Sequence, residues 1–453
     1  MKRHRTGWLI ASLLGATMAV EAATVEECVR RALQDNPDVE AAVARIAAAE
    51  AALRQAQSAW LPMLSVSANY ARTDNPPQAF MMRLNQRALN MMAPSFNPNA
   101  PDDTDNTRLS LLLKYRLFDF GARRAGVAGA QAMLQAREAM AQAVRNELAH
   151  AVTKAFYGVF QAQELAAVQS EQVRSLEESL RVARARLQQG AAVRADVLSL
   201  EVRLAQAQED EVRARNAVAL AVAGLNTALG GANLRAEELQ PPDPAASWIE
   251  APDPEESDAA LEAHPALRAA MAVVEARQAA LRGAQAARRP VVNAFGSVDW
   301  DSPNASDYEH SYLAGVMVEW DLFTGGRLAG AVAEARAEWE AARAEAQRTR
   351  HQLQWDLDDA QIRVREARER LAVTARAEES AAEALRLTKV RYEQGAAELA
   401  ELLNAEVGWS AIRARRVAAV YDYRIALSNL ARARGVRADF ESHRRESPAR
   451  KGE

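Results

Sequence analysis

The chain has 453 residues, of which 49% are hydrophobic, and a formal net charge of −4 at pH 7. This mild acidity argues against a nucleic-acid partner, because proteins that bind phosphate backbones present a basic face. The single cysteine, Cys28, excludes an intrachain disulfide. The six histidines are scattered, and no GxSxG motif or phosphate-binding glycine loop occurs. We therefore expect no enzyme, no catalytic residues, no cofactor and no resident metal site.

Residues 1–22 have the layout of a secretory signal peptide. Lys2, Arg3 and Arg5 form a basic start, an apolar run follows, and Ala22 ends a small-residue cleavage site. The apolar run is too short to span a bilayer as a helix, and an uncleaved interfacial anchor is the alternative. No other apolar run reaches 18 residues, so the sequence predicts export without a transmembrane helix.

The mature chain contains an internal sequence duplication. The segment from Arg186 to Gly190 recurs from Arg391 to Gly395, at an offset of 205 residues (395 − 190). A repeat of this length is too long for a solenoid unit and indicates duplicated half-domains. The predicted copies are 23–230 and 258–435, separated by a proline-rich linker at 231–257 and followed by a charged, disordered tail at 436–453.

Each copy is predicted to contain two strands followed by a very long helical hairpin. The first copy has strands at about 64–72 and 108–117 and a hairpin at about 122–229. The second has strands at about 291–300 and 312–322 and a hairpin at about 327–434. The hairpins lack proline and are dense in alanine, leucine and charged residues, which favours coiled-coil packing.

The strands alternate apolar and polar residues at period two. Lys114 and Arg116 occupy the polar positions in the second strand of the first copy, and Glu319 and Asp321 occupy the equivalent positions in the second copy. Strands of about ten residues with one apolar and one charged face suit a transmembrane β-barrel. A sandwich strand with one solvated face is the alternative for any one of them. The four charged residues are therefore predicted to line a barrel lumen.

Closing such a sheet requires several chains. Lipid cannot satisfy an open sheet edge, and four strands are fewer than the roughly eight of the smallest bacterial barrels. Two chains would give eight strands and three chains would give twelve, and only the larger ring leaves an aqueous lumen.

From about Thr24 to Gly435 the chain resembles the TolC-like outer-membrane factor family, also called outer membrane efflux proteins. The motifs that carry the resemblance are Thr24-Val25-Glu26-Glu27, Asn36-Pro37, Trp60-Leu61-Pro62, Leu117-Phe118-Asp119-Phe120-Gly121, Leu322-Phe323-Thr324-Gly325-Gly326 and the paired Arg-Leu-x-x-Gly-x5-Asp pattern. The resemblance implies a mainly α fold with a small β part. It also implies a homotrimer with a twelve-stranded barrel in outer-membrane lipid and a helical tunnel in the periplasm of a Gram-negative bacterium.

The same resemblance implies a passive exit duct of a tripartite efflux or type I secretion system. Its partners would be a periplasmic adaptor, or membrane fusion protein, and an inner-membrane transporter. The hairpin tips are the expected adaptor-docking surface, formed by Arg186, Leu187, Gly190, Asp196 and Val197 with Arg391, Tyr392, Gly395, Glu401 and Leu402. These residues could instead only cap helices, since glycine suits a helix end and the charges suit the helix dipoles.

Two further features have competing interpretations. By resemblance, Glu379 and Glu383 would form a periplasmic constriction that attracts cations, although charged residues on a long helix are usually only solvated. The connection from Arg72 to Arg108 is expected to be a loop at the extracellular mouth. Its methionines could bind soft metal ions, fill irregular packing, or fold over the mouth.

The rival hypothesis is a periplasmic coiled-coil scaffold without channel activity. It accounts for the long helices and leaves the four alternating strands and their charges unexplained.

Overall fold

A computed structural model describes residues 22–92, 97–242 and 257–437. The predicted signal peptide up to residue 21, the middle of the linker and the tail from residue 438 lie outside the described residues.

Nine α-helices and four strands make up the described chain. The helices are α1 Val25–Asp35, α2 Pro37–Ser58, α3 Pro76–Asn85, α4 Ala122–Gln188, α5 Arg194–Ala228, α6 Ser257–Ala263, α7 Pro265–Ala286, α8 Arg327–Glu393 and α9 Leu399–Ala433. The strands are β1 Met63–Thr73, β2 Thr104–Phe118, β3 Val291–Ser302 and β4 Glu309–Glu319. Helices α4 and α8 each have 67 residues, and α5 and α9 each have 35, so the duplication is present in the fold.

The strands form one antiparallel sheet in the order β1-β2-β3-β4. The central pair joins the two copies, because β2 belongs to the first and β3 to the second. Strand β4 ends at Glu319, which pairs with Val291, the first residue of β3. Pro290 precedes Val291 and has no N–H to continue the ladder. The predicted extension of this strand to residue 322 is therefore wrong.

The connection between β1 and β2 is more ordered than expected. It contains α3, where the sequence analysis expected a loop. Asn75 starts this helix by accepting a hydrogen bond from the backbone N–H of Gln78 at 3.4 Å, and Pro76 follows in the first turn. Both residue types are preferred at a helix N-terminus.

The chain divides into two compact units. Within the described residues, one combines 22–39 with 145–242 and 356–437. Its first core surrounds Phe156, Leu225 and Cys28, all at most 1% exposed. A second core lies at the α4–α5 and α8–α9 turns.

The other unit consists of Glu40–Val144 and Glu256–Trp355 and contains the sheet. Within it, α4 and α7 approach closely through small residues. A Cβ built on Gly129 would lie 3.6 Å from the Cβ of Ala279. Among the described helices, none is both long enough and apolar enough to span a membrane.

Candidate functional site: the two-faced sheet and the hairpin tips

The four strands place most of their apolar and most of their polar side chains on opposite faces of the sheet. Successive cross-strand rows of the apolar face are Leu64, Leu113, Gly296 and Ala314, then Val66, Leu111, Val298 and Tyr312, then Ala68, Leu109, Trp300 and His310. Rows of the polar face are Ser67, Ser110, Asp299 and Ser311, then Asn69, Arg108, Asp301 and Glu309. Large side chains such as Tyr312, 83% exposed, lie open on the apolar face of the single chain. This arrangement suits lipid on one side and water on the other.

Three of the four predicted lumen residues lie on the polar face. Lys114 and Arg116 lie there on β2, and Glu319 lies there at the end of β4. They are not neighbours across the repeat, because β3 separates the two strands. Asp321 lies beyond β4 and accepts a hydrogen bond from Arg327 at 3.2 Å. The prediction that Asp321 belongs to the strand is wrong, since pairing ends two residues earlier.

The polar face also carries a hydrogen-bond network that was not predicted from the sequence. Asp301, whose side chain is 1% exposed, accepts hydrogen bonds from Asn106 at 2.6 Å and from Arg108 at 2.8 Å. In the next row, Ser110 donates to Asp299. The alternation of Asp299 and Asp301 with apolar residues in β3 was an available signal. Predicting the strand end at residue 300 left Asp301 out.

The two hairpin turns have the same backbone geometry. Gly190 and Gly395 have φ angles of +73° and +76°, a region that glycine adopts without strain. After α4, the Gly190 N–H donates to the Leu187 carbonyl at 3.0 Å, and the Ala191 N–H donates to the Arg186 carbonyl at 2.8 Å. The equivalent bonds after α8 have the same lengths. Both turns are Schellman caps, in which the glycine adopts the left-handed conformation that ends the helix.

The equivalent arginines of the two turns differ in their contacts. Arg186 reaches the other hairpin, donating from Nη1 to the Tyr392 carbonyl oxygen at 2.6 Å, with its guanidinium 5.1 Å from the Tyr392 ring centre. Arg391 stays within its own hairpin, donating to the Ala396 carbonyl at 3.1 Å and pairing with Glu401 at 3.3 Å. The Arg186 side chain therefore joins the two tips of one chain.

The predicted docking residues divide into buried and exposed groups. Val197, Tyr392 and Leu402 are 7%, 4% and 0% exposed and belong to the core of the tip. Their side chains hold the two hairpins together and are not available to a partner in this conformation. Exposed or half-buried positions are Arg186, Leu187, Gly190, Asp196, Arg391, Gly395 and Glu401.

A family model for outer membrane efflux proteins matches residues 28–231 and 257–436, which covers most of the chain. The chain belongs to the outer membrane efflux protein family. Membership places it in the outer membrane of a Gram-negative bacterium, with its helical tunnel in the periplasm. The family is one of channel proteins.

Several relatives of this outer membrane efflux protein are similar over most of its length. Protein CyaE of Bordetella pertussis is 30% identical over 344 residues, covering 70% of this chain and 68% of the relative. Outer membrane efflux protein BepC of Brucella suis is 25% identical over 435 residues, covering 94% and 89%. The CmeC outer membrane channel of Campylobacter jejuni has the same fold, with a TM-score of 0.79 at 17% identity, covering 93% of this chain and 88% of that one.

The two acidic residues predicted for a constriction of this efflux protein differ in their pairing. Glu379 and Glu383 are both exposed on α8. Glu383 accepts two hydrogen bonds from Arg386 at 2.8 Å, which lowers the pKa of the Glu383 carboxyl. Glu379 forms no ion pair within the described part of the chain. Its charge is therefore the less neutralised of the two.

A buried carboxyl in the tip region was not predicted from the sequence. Glu406 on α9 is 3% exposed, and one of its oxygens accepts hydrogen bonds from the hydroxyls of Ser175 and Ser179 at 3.0 and 3.1 Å. The other oxygen has no hydrogen-bond partner among the residues that the structure describes. Burial raises the pKa of Glu406, and the two hydroxyls only partly oppose that rise. Its repeat equivalent, Glu201, is half-buried and pairs with Arg184, so the repeat gave no sign of burial.

Proposed function

We propose that this outer membrane efflux protein is a homotrimeric exit duct that passively conducts solutes to the outside. The solutes would reach it from an inner-membrane transporter through a periplasmic adaptor. The observation that carries the proposal is the two-faced sheet with unpaired edges. Strands β1 and β4 are its edges, and within the described chain neither has a second strand partner.

The edges and faces together favour a ring made of several chains. An unpaired strand edge in lipid leaves backbone groups without hydrogen bonds, at a cost of several kcal/mol for each group. Pairing β1 of one chain with β4 of the next closes the ring and leaves no unpaired edge. Three chains give twelve strands, enough for a water-filled lumen lined by the polar face. The scaffold alternative gives no role to an apolar face as exposed as this one.

The hairpin tips are the proposed adaptor-docking surface. The surface positions include Leu187, Asp196, Arg391 and Glu401, which offer an apolar side chain and both signs of charge. Val197, Tyr392 and Leu402 would act indirectly, by keeping the tip in shape. Arg186 would have both roles, because its guanidinium already binds the Tyr392 carbonyl.

Export assays with charge-reversed tips test this proposal. Asp196→Arg combined with Glu401→Arg should abolish export and cross-linking to the adaptor while leaving the trimer intact. The matched control is Glu209→Arg, because Glu209 is equally acidic and exposed on α5 but lies away from the turn. Normal export by the double variant would contradict docking through these residues and leave helix capping as their role.

Glu379 and Glu383 are proposed to form a cation-attracting constriction when repeated three times around the tunnel. Replacing both with alanine should raise the conductance of reconstituted channels and lower their cation selectivity. Because Arg386 already partners Glu383, Glu379→Ala alone should account for most of the change in selectivity. Unchanged conductance and selectivity would contradict the proposal.

A further inference from the structure

Hydrogen bonds attach helix α3 to one end of the sheet, opposite the end where the strands connect to the long helices. Arg83 donates from Nε to the Thr104 hydroxyl at 3.0 Å and from Nη2 to the Asp102 carbonyl at 3.2 Å. Gln86 donates to the Asp105 carbonyl at 2.7 Å and to the Asn106 side chain at 2.9 Å. The last turn of α3 therefore covers the first residues of β2.

The contacts of α3 fall on the polar face. In β2, Thr104 and Asn106 alternate in step with Arg108, which belongs to that face. Gln86 is 6% exposed and Asn106 is 3% exposed, so their hydrogen bonds are sheltered from solvent. Asn106 in turn donates to Asp301 of β3. One connected set of polar groups thus joins α3 to two strands.

The end of α3 extends this attachment to the edge strand. Arg87 follows the helix with a φ angle of +51°, an uncommon conformation for a residue other than glycine. The Ala88 N–H donates to the Arg83 carbonyl at 2.9 Å, which closes a helix cap around Arg87. In this position the Arg87 guanidinium pairs with Glu309 of β4 at 3.1 Å. Contacts from α3 therefore reach β2 and β4, with β3 between them.

The connections of the strands indicate which end of the barrel α3 occupies. The chain enters β1 from α2 and leaves β2 towards α4, and the same holds for β3 and β4 with α7 and α8. That end of the sheet faces the periplasmic helices. The contacts of α3 lie where β1 ends and β2 begins, at the opposite end.

We infer that α3 lies inside the barrel at its extracellular exit, and that three copies of it form a constriction that limits the size of exported solutes. This inference rests on the proposed trimeric duct, in which the polar face lines the lumen. A helix of ten residues is about 15 Å long and about 10 Å across with its side chains. Three such helices would occupy much of the exit of a twelve-stranded barrel.

Single-channel recording of the full trimer in planar bilayers tests the inference with two variants. The first removes the attachment by changing Arg83, Gln86 and Arg87 to alanine. The second replaces residues 76–88 with a Gly/Ser segment of equal length, so that no helix can refill the exit. The control changes Met91 and Met92 to serine, because both are exposed in the same connection.

Both variants are made in the Glu379→Ala/Glu383→Ala background, so that the proposed periplasmic constriction does not limit the current, and both should raise conductance above that background, because three cylinders about 10 Å across leave the exit. Cells carrying either variant in this background should also become more sensitive to a large antibiotic such as vancomycin, and the control should match the background. Trimeric channels of the replacement variant that conduct no more than the background would overturn the constriction alone. Failure of the unmodified protein to form trimeric channels would overturn the proposed function, and the inference with it.

Discussion

Replacing Arg186 by alanine should loosen the contact between the two hairpin tips of one chain. The change removes the 2.6 Å hydrogen bond to the Tyr392 carbonyl and the contact with its ring. A hydrogen bond from a charged donor contributes about 1.5–3 kcal/mol, and an exposed cation–π contact contributes about 0.5–1 kcal/mol. Because Arg186 is only half-buried, the low end applies, at about 2 kcal/mol. This corresponds to a roughly thirtyfold shift in the equilibrium for separating the tips.

Hydrogen–deuterium exchange of the amides around both turns measures that equilibrium. Arg391→Ala is the matched control, because Arg391 occupies the equivalent position and pairs with Glu401 on the surface. Its ion pair with Glu401 and its hydrogen bond to the Ala396 carbonyl both lie within one hairpin, so their loss should leave the separation of the tips nearly unchanged and speed exchange by less than about fivefold. Equal acceleration in the two variants would refute the conclusion that Arg186 joins the hairpins.

Three further changes test the packing. Asp119→Ala would leave the buried Arg123 guanidinium without the carboxylate that it contacts at 2.9 Å. The loss should lower the free energy of unfolding by about 3–5 kcal/mol and so lower the temperature at which trimers dissociate on gels. Burial raises the pKa of Glu406 above its value in the unfolded chain, so the free energy of unfolding of the wild type should fall as pH rises through the raised pKa. Glu406→Gln should flatten that pH dependence in denaturation experiments between pH 4 and pH 9. An unchanged slope would count against burial as the cause. Gly230→Ala should destabilise the trimer more than Gly231→Ala in the same melting assay. Both glycines have positive φ angles, which alanine adopts only with strain, but only at Gly230 would an added Cβ also meet the chain between α1 and α2, at 3.1 Å.

The duplicated architecture was predictable because its signals are local and repeated. Long runs without proline predict long helices, and alternation at period two predicts strands. Gly190 and Gly395 mark the turns because each adopts a positive φ angle at the end of a helix. Comparing the copies strengthened each of these predictions.

Other features depend on contacts that no local pattern reveals. The bond between Arg186 and Tyr392 joins residues 206 positions apart. The burial of Glu406 depends on serines from α4, a helix of the other copy. Helix α3 was not predicted because it is short and, lying in the connection between β1 and β2, has no counterpart in the second copy.

Closure of one barrel by three chains would be visible in the native mass of the detergent-extracted mature protein. Light scattering coupled to size-exclusion chromatography, corrected for bound detergent, should give a protein mass three times that of the processed chain. A stable monomer or dimer that is extracted without detergent would contradict the account, because the four strands would then satisfy their edges in another way.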